Sequence, residues 1–356
     1  MTRLLRIGII TIVVFVSAAS VTAFGQQPLC GPDRDPLIDQ LIDYLGFETS
    51  HRDALVYRGE IVHTGMVAGE SLPEELAVAG VMLIVERPIE ETVEVYLDDE
   101  SFRTHQGVAK HGALPEGADE AGVRAALAGA GLEGDESAEA RLMVASKAGG
   151  KLNLSSHEFT RFAALDPRDP VLVAEASTVY REILADRFLA FRDDGLGGIE
   201  PYDRGGKKRV SPSLELTSAI ESMHFLNQHF PDFGVALRHS AGSHDTTNGH
   251  RDFWIKKTMD GRPLFALSHQ VIVEQPGYAI AGDIQFFVGH SYNSMLTVIG
   301  AAACGPNTLV VAVNHTFTDQ VTGFGSSVKK KIGRNKVAEE MARHFEVLRT
   351  SLHARP

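Results

Sequence analysis

Cysteine and tryptophan are nearly absent from this chain, with two of the first and one of the second in 356 residues. Two cysteines allow one disulfide at most, which excludes a small scaffold held together by a dense disulfide framework. Basic residues are also short, 34 against 46 acidic ones, for a formal charge of −12. A protein that binds nucleic acid regardless of sequence needs a basic face to release counterions, so that class is excluded. Past the N-terminus no apolar run is long enough to span a bilayer. Nor is there a P-loop, a dinucleotide fingerprint, an HExxH, a CxxC or a Gly-x-Ser-x-Gly elbow. No motif names a reaction, and no cofactor or metal is expected.

What is present describes a globular protein with a full core: 44% apolar and 22% charged residues. Met1 to Ala23 reads as a secretory signal, with Arg3 and Arg6 before the apolar stretch Ile7 to Val16 and a small-residue exit at Val21-Thr22-Ala23. The expectation is an exported protein, periplasmic or extracellular, touching a membrane only through this segment if it stays uncleaved. Residues 24–356 then read as one α+β domain. Lipidation of Cys30 is not expected, because Gln27-Pro28-Leu29 lacks the small residues such a site wants. A Cys30–Cys304 bridge would staple the N-terminal segment to the sheet; the sequence equally permits two unpaired thiols.

Along the chain, Asp35 to Leu45 has helical apolar spacing, Leu55 to Met66 alternates like a strand, and Ala77 to Glu86 is a buried strand. Pro88 opens a short helix. A helical insertion follows over about 119–235, with a long helix at Val171 to Arg192 and another from a Ser213 cap to His229. Gly195 to Ser211 is glycine-rich and reads as a flexible surface loop. His239, His244 and His250 sit in a polar loop without metal-ligand spacing.

Pro263 to Asp319 organises the rest. Four β-rich runs there form an antiparallel meander, and Val328 to Leu352 forms an amphipathic C-terminal helix laid across it. Alternation puts His269, with Phe265 and Val271, on one face of the first strand. Phe286 and His290 share a face of the second, and His315 and Phe317 share one of the fourth. Hairpin register separates His269 from His290 by roughly 23 Å at ~3.3 Å per residue, so the three histidines cannot share an ion. His290, Ser291, Tyr292, Asn293, Asn314, His315 and Asp319 gather toward one mouth of the sheet. Histidine with carboxylate suits general acid–base work, which makes His290, His315 and Asp319 catalytic candidates; turn and edge groups satisfying one another is the alternative account.

The strand AVAGVMLIVERP, the short helix IEETVEVYLDD, the meander and the long last helix together resemble the helix-grip, or START-like, fold. That resemblance implies a curved sheet around a final helix, with a cavity for lipids, sterols or polyketides. ALSHQVIV, IQFFVGHSYNSMLTVIGA and NHTFTDQVTGFGSSVKKKIGR also resemble a group of exported bacterial proteins of unknown function. The expected function is a non-enzymatic, exported binder of an apolar or lipid-like small molecule between sheet and C-terminal helix. His269, Phe286, His290, Tyr292, His315 and Phe317 are its candidate contacts. A hydrolase or cyclase at the mouth, and an envelope interaction module without a pocket, are the alternatives.

Overall fold

The computed structural model describes residues 28–31, 36–64, 72–98, 107–239, 249–323 and 325–354. The expected signal segment and His244 lie outside them. The described chain is an α+β fold built on an eight-stranded antiparallel sheet. Its strands are β1 (Val62–His63), β2 (Glu75–Val85), β3 (Val108–Leu114), β6 (Gly249–Met259), β7 (Arg262–Gln275), β8 (Tyr278–Val288), β9 (Ser294–Cys304) and β10 (Asn307–Phe317). A separate two-stranded ribbon joins β4 (Tyr202–Asp203) to β5 (Arg209–Val210).

The spatial order is β1-β2-β10-β9-β8-β7-β6-β3. The last five strands meander, so each pairs with its sequence neighbour, while β2 closes on β10 and β3 on β6. Tight turns set the register. Asp260-Gly261, both with positive φ (53° and 73°), link β6 to β7 in the backbone twist that two-residue hairpins prefer.

Helices cover both faces. The C-terminal helix Ser326–Ala354 lies on the first, where Ala338, Met341, Phe345, Leu348 and Leu352 pack on Val81, Leu83, Val85, Val310 and Ala312. The buried stripe therefore starts later than the sequence pattern implies, and Val328 and Ile332 are exposed. Helix Ile89–Asp98 joins it through Val95. On the second face sit the N-terminal helices Pro36–Tyr44 and Thr49–Arg58, together with the helical insertion between β3 and β6. The long helix Leu172–Asp194 anchors that layer, burying Tyr180, Ile183, Leu184, Phe188 and Phe191. Gly282 marks how closely the layers meet: a Cβ there would lie 2.6 Å from the Phe233 ring.

Several expectations change. Residues 49–58 are helical, not the start of a strand, because Glu48 and His51 form a capping box and Gly59 ends the helix in the left-handed conformation. Only Val62–His63 remains as strand. Ser211, not Ser213, caps the helix Pro212–Ser222, and the stretch to His229 breaks at Met223 into a second helix. Gly195 to Ser211 is no loose loop, since Tyr202 and Asp203 are buried in it. Strands β3 and β6 lack a clean apolar alternation and were not anticipated.

Candidate functional site

The candidate residues do not converge. His269, Phe286, His315 and Phe317 all point to the second face, away from the C-terminal helix. The odd positions of β7 and β10 face the insertion, and a bulge at Leu267/Ser268 shifts the pairing with β8. His269 is fully buried, bonded to Asp252 at 2.8 Å and to the Ala236 carbonyl at 3.3 Å. Phe286 stacks on Phe191 with ring centroids 4.2 Å apart, and Phe317 is sealed in the same core.

The three catalytic candidates have separate partners. His315 Nδ1 lies 2.5 Å from Glu75 Oε1. Asp319 accepts from Arg204 Nε at 2.7 Å. His290 Nε2 meets the Pro263 carbonyl at 3.1 Å and Nδ1 meets Ser291 Oγ at 2.6 Å. Burial pushes the His290 imidazole below its ordinary pKa, which favours the neutral ring. Ser291, at φ 71°, holds a conformation uncommon outside glycine, and its hydroxyl is also 3.2 Å from Asp260. Among the described residues no group of three or more His, Cys, Asp or Glu is placed to hold a metal ion.

What gathers at the mouth instead is a structural network. Arg204, at the end of the β4–β5 ribbon, donates to Asn153 Oδ1 (2.7 Å) and Asn293 Oδ1 (3.0 Å) as well as to Asp319. Asn293 and Ser294 donate in turn to the two oxygens of Glu215, at 2.9 and 2.6 Å. Burial raises the Glu215 carboxyl to about 7, with Asp319 and Glu74 adding repulsion. These bonds pin the β8–β9 connection to the insertion, and both Glu215 oxygens are engaged in doing so.

The first face carries a different arrangement. Following the register across five strands, Arg251 lies opposite Gln270, Gln270 opposite Asp283, Asp283 opposite Thr297, and Thr297 opposite Asn314. All five project to the side the C-terminal helix covers, a polar row about 19 Å long at ~4.8 Å per strand. The rows toward the other end of the strands are apolar: Ile272, Ala281, Ile299 and Ala312 stand next to it on the same side. Asn314 Nδ2 donates to Thr297 Oγ1 at 2.8 Å and Thr316 to Asn314 Oδ1 at 2.7 Å, fixing one end. Beside the row, Ser268 is fully buried, and among the described residues neither its Oγ nor Gln270 Oε1 has a hydrogen-bond partner. Tyr292, the one candidate contact found on this side, bonds Gln285.

Burial differs between the two sides of β9. Ser294, Leu296, Val298, Ala302 and Cys304 are buried on the second face, under the insertion and the N-terminal helices, whereas Met295, Thr297, Ile299, Ala301 and Ala303 are partly exposed. A central strand beneath a helix keeps accessible side chains only where the covering layer stands off. A groove of about 540 Å³ opens between helix Ile89–Asp98 and the β7–β8 turn, bordered by Glu90, Glu94, Arg251 and Glu274, so that Arg251 is the end of the row that reaches it. It adjoins a narrow apolar slot among Val93, Ile272, Ile299, Val310 and Leu348.

The polar row was missed although its signal is local: Gln270, Asp283, Thr297 and Asn314 occupy strand positions that alternate with the histidine-bearing ones. Attention to the apolar parity hid the polar one. No family model matches the chain, and no curated protein or solved structure matches it.

Proposed function

We propose that this chain is an exported, non-enzymatic protein that binds an amphipathic small molecule between the sheet and the C-terminal helix. The observation that supports it is the polar row Arg251–Gln270–Asp283–Thr297–Asn314 crossing a partly exposed, otherwise apolar face. A core that served packing alone would fill these positions with aliphatic side chains, because an unpaired buried hydroxyl or amide costs about 1–3 kcal/mol. A ligand that hydrogen-bonds Ser268 and Gln270 recovers that cost, and its apolar part enters the slot beside Ile272 and Ile299. The groove volume falls in the ~300–1,000 Å³ range of small-molecule sites. Charge at the mouth, Arg251 among three glutamates, suits a ligand whose polar end is dipolar or hydroxylated more than a simple anion.

Native mass spectrometry of protein taken from its own compartment, with extraction and identification of bound molecules, tests the reading. A co-purifying amphipathic molecule supports it. The double variant Ser268→Ala, Gln270→Leu should then bind that molecule at least ~10-fold more weakly, from two lost bonds of about 1 kcal/mol each. An empty protein that takes up nothing from a panel of lipids and apolar metabolites would sink it.

A further inference from the structure

The opposite face holds a second cavity, independent of the row and of the function proposed for it. It measures about 80 Å³, several times the ~10–15 Å³ that one water needs. Its walls are helix Pro36–Tyr44 (Leu37, Leu41), the insertion residues Phe225 and Phe230, and the β9–β10 side chains Val298 and Val311. The lining is almost wholly apolar, and His315 is its one imidazole.

His315 is only 6% exposed, so its surroundings decide which atom can meet a guest. Nδ1 is taken by Glu75, itself buried at 1% exposure. With Nδ1 held by Glu75, Nε2 is the ring nitrogen left to bond a guest. Among the described residues the ring's hydrogen bond is the one through Nδ1, and none runs through Nε2. Tyr44, the nearest phenol on the helical wall, directs its hydroxyl to the Ser222 carbonyl at 3.3 Å and does not fill that need. The Glu75 carboxylate fixes the orientation of the ring.

We infer that this cavity is a binding site for a small apolar molecule bearing one hydroxyl group, an aliphatic alcohol or a phenol, whose hydroxyl hydrogen-bonds His315 Nε2. The apolar body lies among Leu41, Phe225 and Val311. A carboxylate is disfavoured because it would be buried beside Glu75. A hydrocarbon of the same shape fits the walls and leaves Nε2 unpaired.

The test uses the full chain with phenol and 1-hexanol as probes, benzene and hexanoate as comparisons, and the imidazole nitrogen resonances of His315 as readout. Phenol or hexanol should move the Nε2 resonance at saturation and raise the melting temperature. Benzene should bind at least ~10-fold more weakly, and hexanoate should leave both readings unchanged. Leu41→Trp fills the cavity from a partly exposed helix position and should abolish both responses without altering the melting curve of the free protein by more than a few degrees. His315→Gln is the second variant, and should lose the preference for phenol over benzene. An unmoved Nε2 resonance under saturating alcohol, equal binding of benzene and phenol, or wild-type binding by the Leu41→Trp variant would each overturn the site. Binding by the Ser268→Ala, Gln270→Leu protein should be unchanged, so loss of one site does not read as loss of the other.

Discussion

Cys30 is disulfide-bonded to Cys304, 274 positions further along the chain, with Cα atoms 5.2 Å apart. Asn307 backs the link by donating to the Leu29 carbonyl at 2.6 Å. Together they tie the segment before helix Pro36–Tyr44 to the β9–β10 turn. Without that tie the helix would depend on its packing through Ile38, Leu41, Ile42 and Tyr44 to stay on the sheet. Closing so long a loop constrains the unfolded chain strongly, so Cys30→Ala with Cys304→Ala should lose about 2–5 kcal/mol in denaturant unfolding. Hydrogen exchange should show the loss first in residues 36–58. Uniform protection there in the double variant would refute the account.

Arg187 and Glu158 form a two-pronged ion pair, at 2.6 and 2.7 Å, with both side chains about 5% exposed. The guanidinium also lies 4.7 Å from the Phe287 ring centre, and Glu158 reaches back to the Ser155 amide in a capping box. Arg187→Met leaves a carboxylate buried without its cation and should cost about 3–5 kcal/mol. Adding Glu158→Leu removes the stranded charge at the expense of one helix cap, worth ~1 kcal/mol. The double variant should therefore be more stable than the single one. If it unfolds at lower denaturant than Arg187→Met, the pair is not the reason for the loss.

Glu215 predicts a pH effect of definite sign. Burial pushes its carboxyl up to about 7 in the folded protein, above the ordinary 4.5 of a glutamate. Below pH 4.5 both states hold the proton and there is no penalty. Between 4.5 and 7 the unfolded chain ionises first and stability falls; above 7 the loss is complete, about 3 kcal/mol at ~1.4 kcal/mol per unit. The buried imidazoles His290 and His344 act oppositely, since their lowered pKa values cost stability as pH drops through 6.5. Glu215→Gln isolates the first effect. The difference in unfolding free energy between variant and wild type should rise from pH 4.5 to 7 in favour of the variant, and parallel curves would exclude it.

How much of this was legible follows from the range of each interaction. Strands β7 to β10 were readable because turns at 276–277 and 305–306 fix antiparallel partners locally, and the last helix because its apolar spacing is local too. Strand β6 was not, since GHRDFWIKKTM contains lysines whose burial depends on distant groups. Lys256 is 5% exposed only because Glu136 and the Gly131 carbonyl, more than a hundred residues earlier, receive its ammonium at 2.8 and 3.1 Å. The same limit applies to the faces. Alternation separates His315 from Asn314, but nothing in either strand says that the insertion covers one and the C-terminal helix the other. Arg204 shows it most plainly: its partners Asn153, Asn293 and Asp319 come from three separate stretches, and its own stretch is glycine-rich enough to read as a loop.

The C-terminal helix decides whether the first face is a site or a surface, and Phe345 is its central contact, 1% exposed against Val81, Leu83 and Val310. Phe345→Asp would place a carboxylate among the buried apolar side chains of this cluster. Phe345→Ala removes the ring without adding charge and should cost about 3–5 kcal/mol, mostly from the cavity left behind. The aspartate should exceed this and prevent cooperative unfolding of the helix with the sheet. Far-ultraviolet circular dichroism and a melting curve distinguish the two variants. If Phe345→Asp stays soluble and melts with the wild-type protein, the helix is not gripped by the sheet. The slot beside Leu348 would then lose that wall, and the partly exposed row on β8 and β9 would be open surface.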